Sequence, residues 1–221
     1  VIRAGERLDP PAQAAAVFGE RFGLARRFAE LLAIDGVTRG LLGPREAARL
    51  WERHLLNCAV VTDLVPIGAR VVDVGSGAGL PGLVFAIRRP DLRLDLVEPL
   101  QRRVTFLDEA VHILQLGDAV RVIRGRAEDL SILAQVGGAQ WVTARAVAPL
   151  DRLVRWCLPL LQPDGRLLAL KGSSAAAEVR EHQTVTASLG GRDVAVVNCG
   201  PTAVVVVRRS AGERRGKKGQ A

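Results

Sequence analysis

The sequence predicts an α/β fold: a seven-stranded, mostly parallel sheet that ends in an antiparallel hairpin and carries a helical cap at its N-terminus. Three observations predict it. From Arg70 onward, short apolar runs alternate with amphipathic stretches, the pattern of parallel strands covered on both faces by helices. The first run, Val71-Val72-Asp73-Val74, passes into a turn with glycine at every second position, Gly75, Gly77 and Gly79. The last two runs, 192–197 and 203–207, are separated only by a short Gly200-Pro201 turn, and two strands that close together must pair as an antiparallel hairpin.

The elements come in this order along the chain. Residues 13–22 and 24–34 carry apolar side chains at helical spacing, and Gly36 and Gly40 punctuate the stretch after them. A further helix over 44–63 sets Ala47, Leu50, Trp51, His54, Leu55 and Cys58 on or near one face. Strands are expected near 70–75, 92–97, 119–124, 139–144 and 166–171. Between and after them come helices near 80–89, 100–116, 127–135, 149–161 and 175–188, the first opening at Pro81. In the 100–116 helix the inner face runs through Val104, Leu107, Val111 and Leu114. The division expected is a helical cap over 1–65, a sheet domain over 66–207 and a flexible tail over 208–221.

The glycine turn points to a nucleoside-containing cofactor. Glycines let the backbone pass close to a ligand without Cβ clashes, and Glu98, just after the second strand, places a carboxylate where a ribose diol would be held. Gly77, Gly79 and Gly82 spell a dinucleotide fingerprint, but its first glycine should end the strand. Counted from Gly75, the third glycine position falls on Leu80. Asp73-x-Gly75-x-Gly77-x-Gly79 is instead the pattern of S-adenosylmethionine-dependent methyltransferases, whose cofactor has an α-amino group that an acid and backbone carbonyls can bind. The terminal hairpin also favours this Rossmann-like sheet over an all-parallel dinucleotide fold. A nicotinamide-dependent dehydrogenase on a similar sheet is the competing reading.

In the 221 residues, 48% are hydrophobic and 4% aromatic, giving one sizeable core of Val, Leu, Ile and Ala. No apolar run approaches the ~18 residues of a membrane span, and residues 1–10 lack an apolar signal core. Cys58, Cys157 and Cys199 are odd in number and widely spaced, which fits buried thiols in a reducing cytoplasm and forms no metal-ligand cluster. The formal net charge is +8, and the tail carries much of it: Arg208, Arg209, Arg214, Arg215, Lys217 and Lys218 stand against Glu213 alone. The tail reads two ways, as a solvated end or as an anchor for RNA phosphates.

Ligands in such sheets bind beyond the carboxyl ends of the strands. Five positions converge there: the Gly75–Gly79 loop, Glu98, Ala127-Glu128, Arg145 and Lys171. In the cofactor reading, Ala127 and Glu128 edge the adenine, although Glu128 also suits the first turn of its own helix and Glu98 a helix cap. Arg145 ends an apolar strand and needs a partner, either a structural carboxylate such as Asp73 or Glu128, or the cofactor or a nucleotide. Lys171 suits a phosphate or base contact, or a plain solvent-facing strand end. His54, beside Leu50 and Trp51, reads as a packed histidine rather than a base.

On these residues the chain resembles the small-subunit ribosomal RNA guanine-N7 methyltransferases, also called glucose-inhibited division protein B. The resemblance lies in Val71 to Gly82, Arg102-Arg103-Val104-Thr105-Phe106-Leu107, Arg126-Ala127-Glu128, Thr143-Ala144-Arg145-Ala146 and Leu168-Ala169-Leu170-Lys171-Gly172. Arg53-His54-Leu55-Leu56-Asn57 is similar to a further family segment, with Asn57 where Asp is usual, and Gly36-Val37-Thr38 stands where an Asn-Leu-Thr motif is expected. The resemblance implies that Gly75, Leu80, Ala127, Glu128 and Arg145 bind S-adenosylmethionine. It also implies that the methyl acceptor is a guanine in the decoding region of 16S rRNA. The chain has no Asn/Asp-Pro-Pro-aromatic motif for adenine amine methylation and no Pro-Cys nucleophile for cytosine C5 chemistry; Cys157 reads as core. The protein expected is thus a cytoplasmic monomer acting on 16S rRNA or the small ribosomal subunit, without metal or membrane and without a general base. A small-molecule methyltransferase and a non-catalytic RNA-binding assembly module also fit a sheet of this kind.

Overall fold

The structure is a computed structural model, and it describes residues 9–145 and 147–211. Seven strands form one sheet in the order β3-β2-β1-β4-β5-β7-β6: β1 (Arg70–Val74), β2 (Arg93–Glu98), β3 (Val120–Arg124), β4 (Ala139–Arg145), β5 (Leu161–Lys171), β6 (Gly191–Cys199) and β7 (Thr202–Arg209). The first five are mutually parallel, and β7 runs antiparallel between β5 and β6. Successive residues of a strand face opposite sides, and here both sides are buried. On one, Val71, Leu94, Leu96, Trp141 and Leu168 join one apolar core; on the other, Val72, Val142, Ala144, Leu167 and Ala169 join a second. This explains why the strands read as continuous apolar runs rather than alternating ones.

N-terminal to the sheet lie α1 (Gln13–Phe18), α2 (Phe22–Leu31), α3 (Pro44–Ala47) and α4 (Asn57–Ala59). The three helices expected here are broken by tighter and wider turns, at Gly19–Arg21, Leu32–Gly36, Trp51–Leu56 and Val60–Leu64. These helices share one core with the sheet. Phe18, Phe28 and Trp51 are continuous with Phe85, Leu94 and Leu96. The contact is made by α5 (Gly82–Arg88), whose residues Leu83 to Ile87 are all buried. Its last residue, Arg88, donates to the carbonyl of Ala59 and pairs with Asp63 at 3.0 Å, while Arg89 donates to the carbonyls of Thr62 and Val65 at 3.1 and 3.0 Å.

The remaining helices are α6 (Gln101–Ile113), α7 (Leu130–Val136), α8 (Leu150–Cys157) and α9 (Ala175–Ser188). In α6 the expected face is the buried one, Val104, Leu107 and Val111, with Leu114 just beyond its end. Four local expectations change. The helix expected near 80–89 begins at Gly82, with Pro81 as its cap and not its first residue. The helix expected over 149–161 stops at Cys157, because Pro159 cannot donate to the ladder, and a short 3₁₀ turn leads into β5. That strand therefore starts at Leu161, not near 166. Arg208 and Arg209, expected in the tail, are the last two residues of β7. Arg208 pairs with Asp164 at 3.2 Å and Asp193 at 2.7 Å, and Arg209 donates to the carbonyls of Pro159 and Leu161. Arg214, Arg215, Lys217 and Lys218 lie outside the described residues.

Candidate active site

The β1 strand ends at Val74, and the chain must turn sharply to reach α5. Gly75, Gly77 and Gly79 make that turn with φ of 70°, 57° and 87°, the left-handed region where side chains are strained. Two of these positions are also sterically closed. A Cβ on Gly75 would come within 2.8 Å of Val147 Cγ2, and one on Gly79 within 2.5 Å of Leu83 Cδ1. The turn is pinned to the neighbouring strand, since Gly75 N–H and Ser76 N–H both donate to the Val97 carbonyl, at 2.8 and 3.2 Å.

Beneath the turn sits Asp73, fully buried on the side of the sheet that α5 covers. Its Oδ2 accepts from Gly82 N–H at 3.1 Å, bracing the start of α5, and the Ser76 hydroxyl donates to its backbone oxygen at 2.9 Å. Its Oδ1 has no hydrogen-bond partner. Burial pushes the carboxyl up to about 7, opposed by the Ser76 hydroxyl and the Gly82 N–H. Glu98, at the end of β2, is also buried, with Oε2 accepting from Gly77 N–H and Oε1 from Leu100 N–H, both at 3.0 Å. Arg103 on α6 lies 3.6 Å from its Oε2. Glu98 thus ties the glycine turn to Leu100, the residue before α6, and lines the cleft, while α6 itself has no side-chain cap.

A cleft of about 600 Å³ opens over this turn, walled by Gly75, Gly77, Leu80, Glu98, Arg126 and Arg145 among others, with Leu41, Leu42 and His54 from the N-terminal region. It lies beyond the carboxyl ends of β1, β2 and β4, where the connections diverge. The cleft gathers five of the sequence-predicted residues, Gly75, Gly77, Leu80, Glu98 and Arg145. It does not take in Asp73, Gly79, Ala127, Glu128 or Lys171. Asp73 lies under the turn, Ala127 is buried in the second core, and Glu128 is exposed. Lys171 is not a plain solvent-facing strand end: its ammonium is nearly buried and donates to the Ala148 carbonyl and to Glu178 Oε2 on α9, both at 2.8 Å.

Arg145 pairs with neither carboxylate considered for it. Its Nη2 donates to His54 Nδ1 at 2.6 Å and to the Arg53 carbonyl at 3.0 Å, and its Nη1 to Cys58 Sγ at 3.2 Å. The other ring nitrogen of His54 meets Glu46 Oε2 at 2.8 Å. An arginine only donates, so His54 Nδ1 accepts, Nε2 carries the hydrogen, and the ring is neutral. The pKa agrees, because burial and the adjacent Arg145 charge pull His54 below its ordinary value against the opposing pull of Glu46. Burial raises Glu46, but the hydrogen bond from His54 and the charge of Arg53 outweigh it and hold the carboxyl below its usual range. Burial also pushes the Cys58 thiol up to about 11 and keeps Cys157 protonated, so neither is a nucleophile.

On the far side of Arg145 lies a second cavity of about 580 Å³, walled by Arg49, Glu52, Arg53, Asn57, Arg145 and Lys171 with the β6–β7 turn. No sequence pattern marks Leu41, Leu42 or Arg49 for these walls, since tertiary packing brings the N-terminal helices to the sheet edge. Among the described residues no group of His, Cys, Asp and Glu is placed to hold a metal, and no helix is long and apolar enough to cross a membrane.

The family model for rRNA small subunit methyltransferase G matches residues 22–206. The Ribosomal RNA small subunit methyltransferase G of Salinispora arenicola (strain CNS-205) is 58% identical over 216 residues, covering 90% of this chain and 88% of the relative. That of Mycobacterium marinum (strain ATCC BAA-535 / M) is 56% identical over 209 residues, covering 92% and 90%. Among solved structures, the mitomycin 7-O-methyltransferase MmcR aligns with a TM-score of 0.61 at 19% identity over 90% of this chain and 66% of its own. Aeropyrum pernix fibrillarin, in complex with natively bound S-adenosyl-L-methionine, aligns with a TM-score of 0.53 at 19% identity over 70% and 74%. Both establish the methyltransferase fold. With its glycine turn, buried acids and hairpin-closed sheet, the chain belongs to the rRNA small subunit methyltransferase G family.

Proposed function

We propose that the protein transfers a methyl group from S-adenosylmethionine to N7 of a guanine in 16S rRNA, acting in the cytoplasm as a monomer on the RNA or on the small subunit. The observation that carries the site assignment is the glycine-floored cleft with Glu98 on one wall and Arg145 on the other. The residues present fit the cofactor: Gly75 and Gly77, both at positive φ, bring bare backbone to the cleft beside the Glu98 carboxylate. S-adenosylmethionine supplies an electrophilic methyl group on a sulfonium.

The chain's own residues then orient and exclude. Each carboxylate oxygen of Glu98 accepts one backbone N–H and has a further lone pair, so the acid can hold a ribose diol without releasing the turn. Arg145 is fixed by His54 and the Arg53 carbonyl at the cleft wall. Guanine N7 bears an in-plane lone pair and no proton, so nothing has to be abstracted before it attacks the methyl carbon. The site matches that requirement. Both ring nitrogens of His54 are already engaged, and Asp73 is sealed below the turn. Holding N7 in line with the methyl–sulfur bond is the main task, and ordering of this kind lowers barriers by up to ~7–11 kcal/mol.

The test is transfer of tritiated methyl from S-adenosylmethionine to small subunits, and separately to naked 16S rRNA, taken from a strain lacking this protein. Label in RNA from either substrate is expected. No label in either, or calorimetry showing NAD binding without S-adenosylmethionine binding, would overturn the proposal.

A further inference from the structure

We infer that the cavity beyond Arg145 is a phosphodiester subsite that seats the acceptor RNA, with Arg49 and Arg145 as its cationic contacts. This rests on the function proposed above and adds where the RNA backbone lies. Arg145 is the residue common to the walls of both cavities. A nucleotide whose phosphate occupies the second cavity therefore has its nucleoside next to the cofactor cleft.

The charges in the wall select the ligand. Arg53 pairs with Glu46 at 3.0 Å and Lys171 with Glu178 at 2.8 Å, so both are neutralised within the chain. Arg145 donates only to neutral acceptors, a ring nitrogen, a carbonyl and a thiol. The Arg49 side chain is exposed, forms no salt bridge among the described residues and feels only the longer-range charge of Glu46, which Arg53 already pairs. Against these two guanidinium groups stands Glu52. One net positive charge remains, the complement of a singly charged phosphodiester, and not of a free phosphate dianion or a polyphosphate. No aromatic side chain is present among the lining residues, so the cavity has no stacking platform for a base, whereas guanidinium groups suit phosphate geometry. Its volume of about 580 Å³ lies within the range of ligand pockets.

The experiment compares wild type with Arg49→Gln, Arg49→Lys and the charge control Arg192→Gln, an exposed residue at the end of β6 opposite the β6–β7 turn that lines the cavity. Methyl transfer to small subunits is measured across a salt series, and filter binding of the same subunits gives an affinity independent of turnover. Arg49→Gln is expected to raise KM and weaken binding about tenfold at low salt and to flatten the log–log salt slope by ~0.7. Its kcat should stay within about twofold and its S-adenosylmethionine affinity should be unchanged, while Arg49→Lys recovers most of the loss. Binding and salt slope equal to those of Arg192→Gln would overturn the inference, as would a parallel loss of S-adenosylmethionine affinity. Inorganic phosphate, at matched ionic strength, is expected to inhibit wild type no more than chloride. Phosphate-specific inhibition that Arg49→Gln abolishes would give the cavity to a free anion. Wild-type turnover without any Arg49→Gln effect refutes this inference alone. Tight, Arg49-dependent RNA binding without methyl transfer refutes only the proposed reaction.

Discussion

Arg145 shows what a single residue reveals and conceals. Its position at the end of an apolar strand announces the need for a partner, but the partner is His54, on an N-terminal segment distant in sequence. No local pattern encodes that pairing, which arises only when the helices pack against the sheet edge. If His54 positions Arg145 and moves no proton, His54→Gln should keep the rate within about threefold, because an amide can accept from Arg145 and donate to Glu46. His54→Leu leaves Arg145 with one neutral acceptor fewer and should lower kcat about tenfold or more, the scale of a lost charged hydrogen bond. Equal loss in both variants, with a pH profile that tracks a histidine, would make His54 a base. Glu98→Ala should weaken S-adenosylmethionine binding ten- to hundredfold in calorimetry, from charge-assisted bonds of ~1.5–3 kcal/mol each.

Asp73 carries a pH signature. Its folded value of about 7 lies above the ordinary 3.8, so the native state holds a proton that the unfolded chain releases. The stability this contributes is complete below pH 3.8 and is lost as pH rises through about 7. Without cofactor, the melting temperature of wild type relative to Asp73→Asn should therefore fall between pH 5 and pH 8. A difference independent of pH across that window would show that Asp73 does not hold its proton.

At the scale of elements, the strands were legible because burial on both faces forces apolar runs, and the helices because one face must be apolar. The breaks at Leu32–Gly36 and Trp51–Leu56 were not, since irregular turns inside a helix leave the apolar spacing nearly intact. Composition alone places Arg208 and Arg209 in the tail, and the structure makes them the end of β7, held by Asp164, Asp193 and two carbonyls. A chain ending at Ala211 should melt within about a degree of the full-length protein, whereas one ending at Val207 should lose several degrees, as the loss of a few hydrogen bonds implies. Equal melting of the two would mean that the last residues of β7 add nothing to the fold.

Over the whole molecule, one topological fact governs the site. The parallel strands all point their carboxyl ends at one edge of the sheet, and the N-terminal helices pack so that His54 and Cys58 meet Arg145 there. The glycine turn, Glu98 and Arg145 were legible because each obeys a local rule about turns, strand ends or buried charge. The second cavity was not, because Arg49 and Lys171 are distant in the sequence and meet only when the N-terminal helices pack against the sheet. Antiparallel β7 ends beside Arg166, at the opposite edge from Lys171, so the C-terminal end of this strand lies away from the cofactor cleft.

The reaction itself is tested most directly by chemistry on the product. Small subunits are methylated by the wild-type protein, and their 16S rRNA is treated with borohydride and then aniline, which cleaves the chain at 7-methylguanosine. A single new cleavage at a guanine, dependent on both protein and S-adenosylmethionine, is the expected result. Tritium-labelled RNA that resists this cleavage would place the methyl group on another atom and contradict N7 transfer without a base.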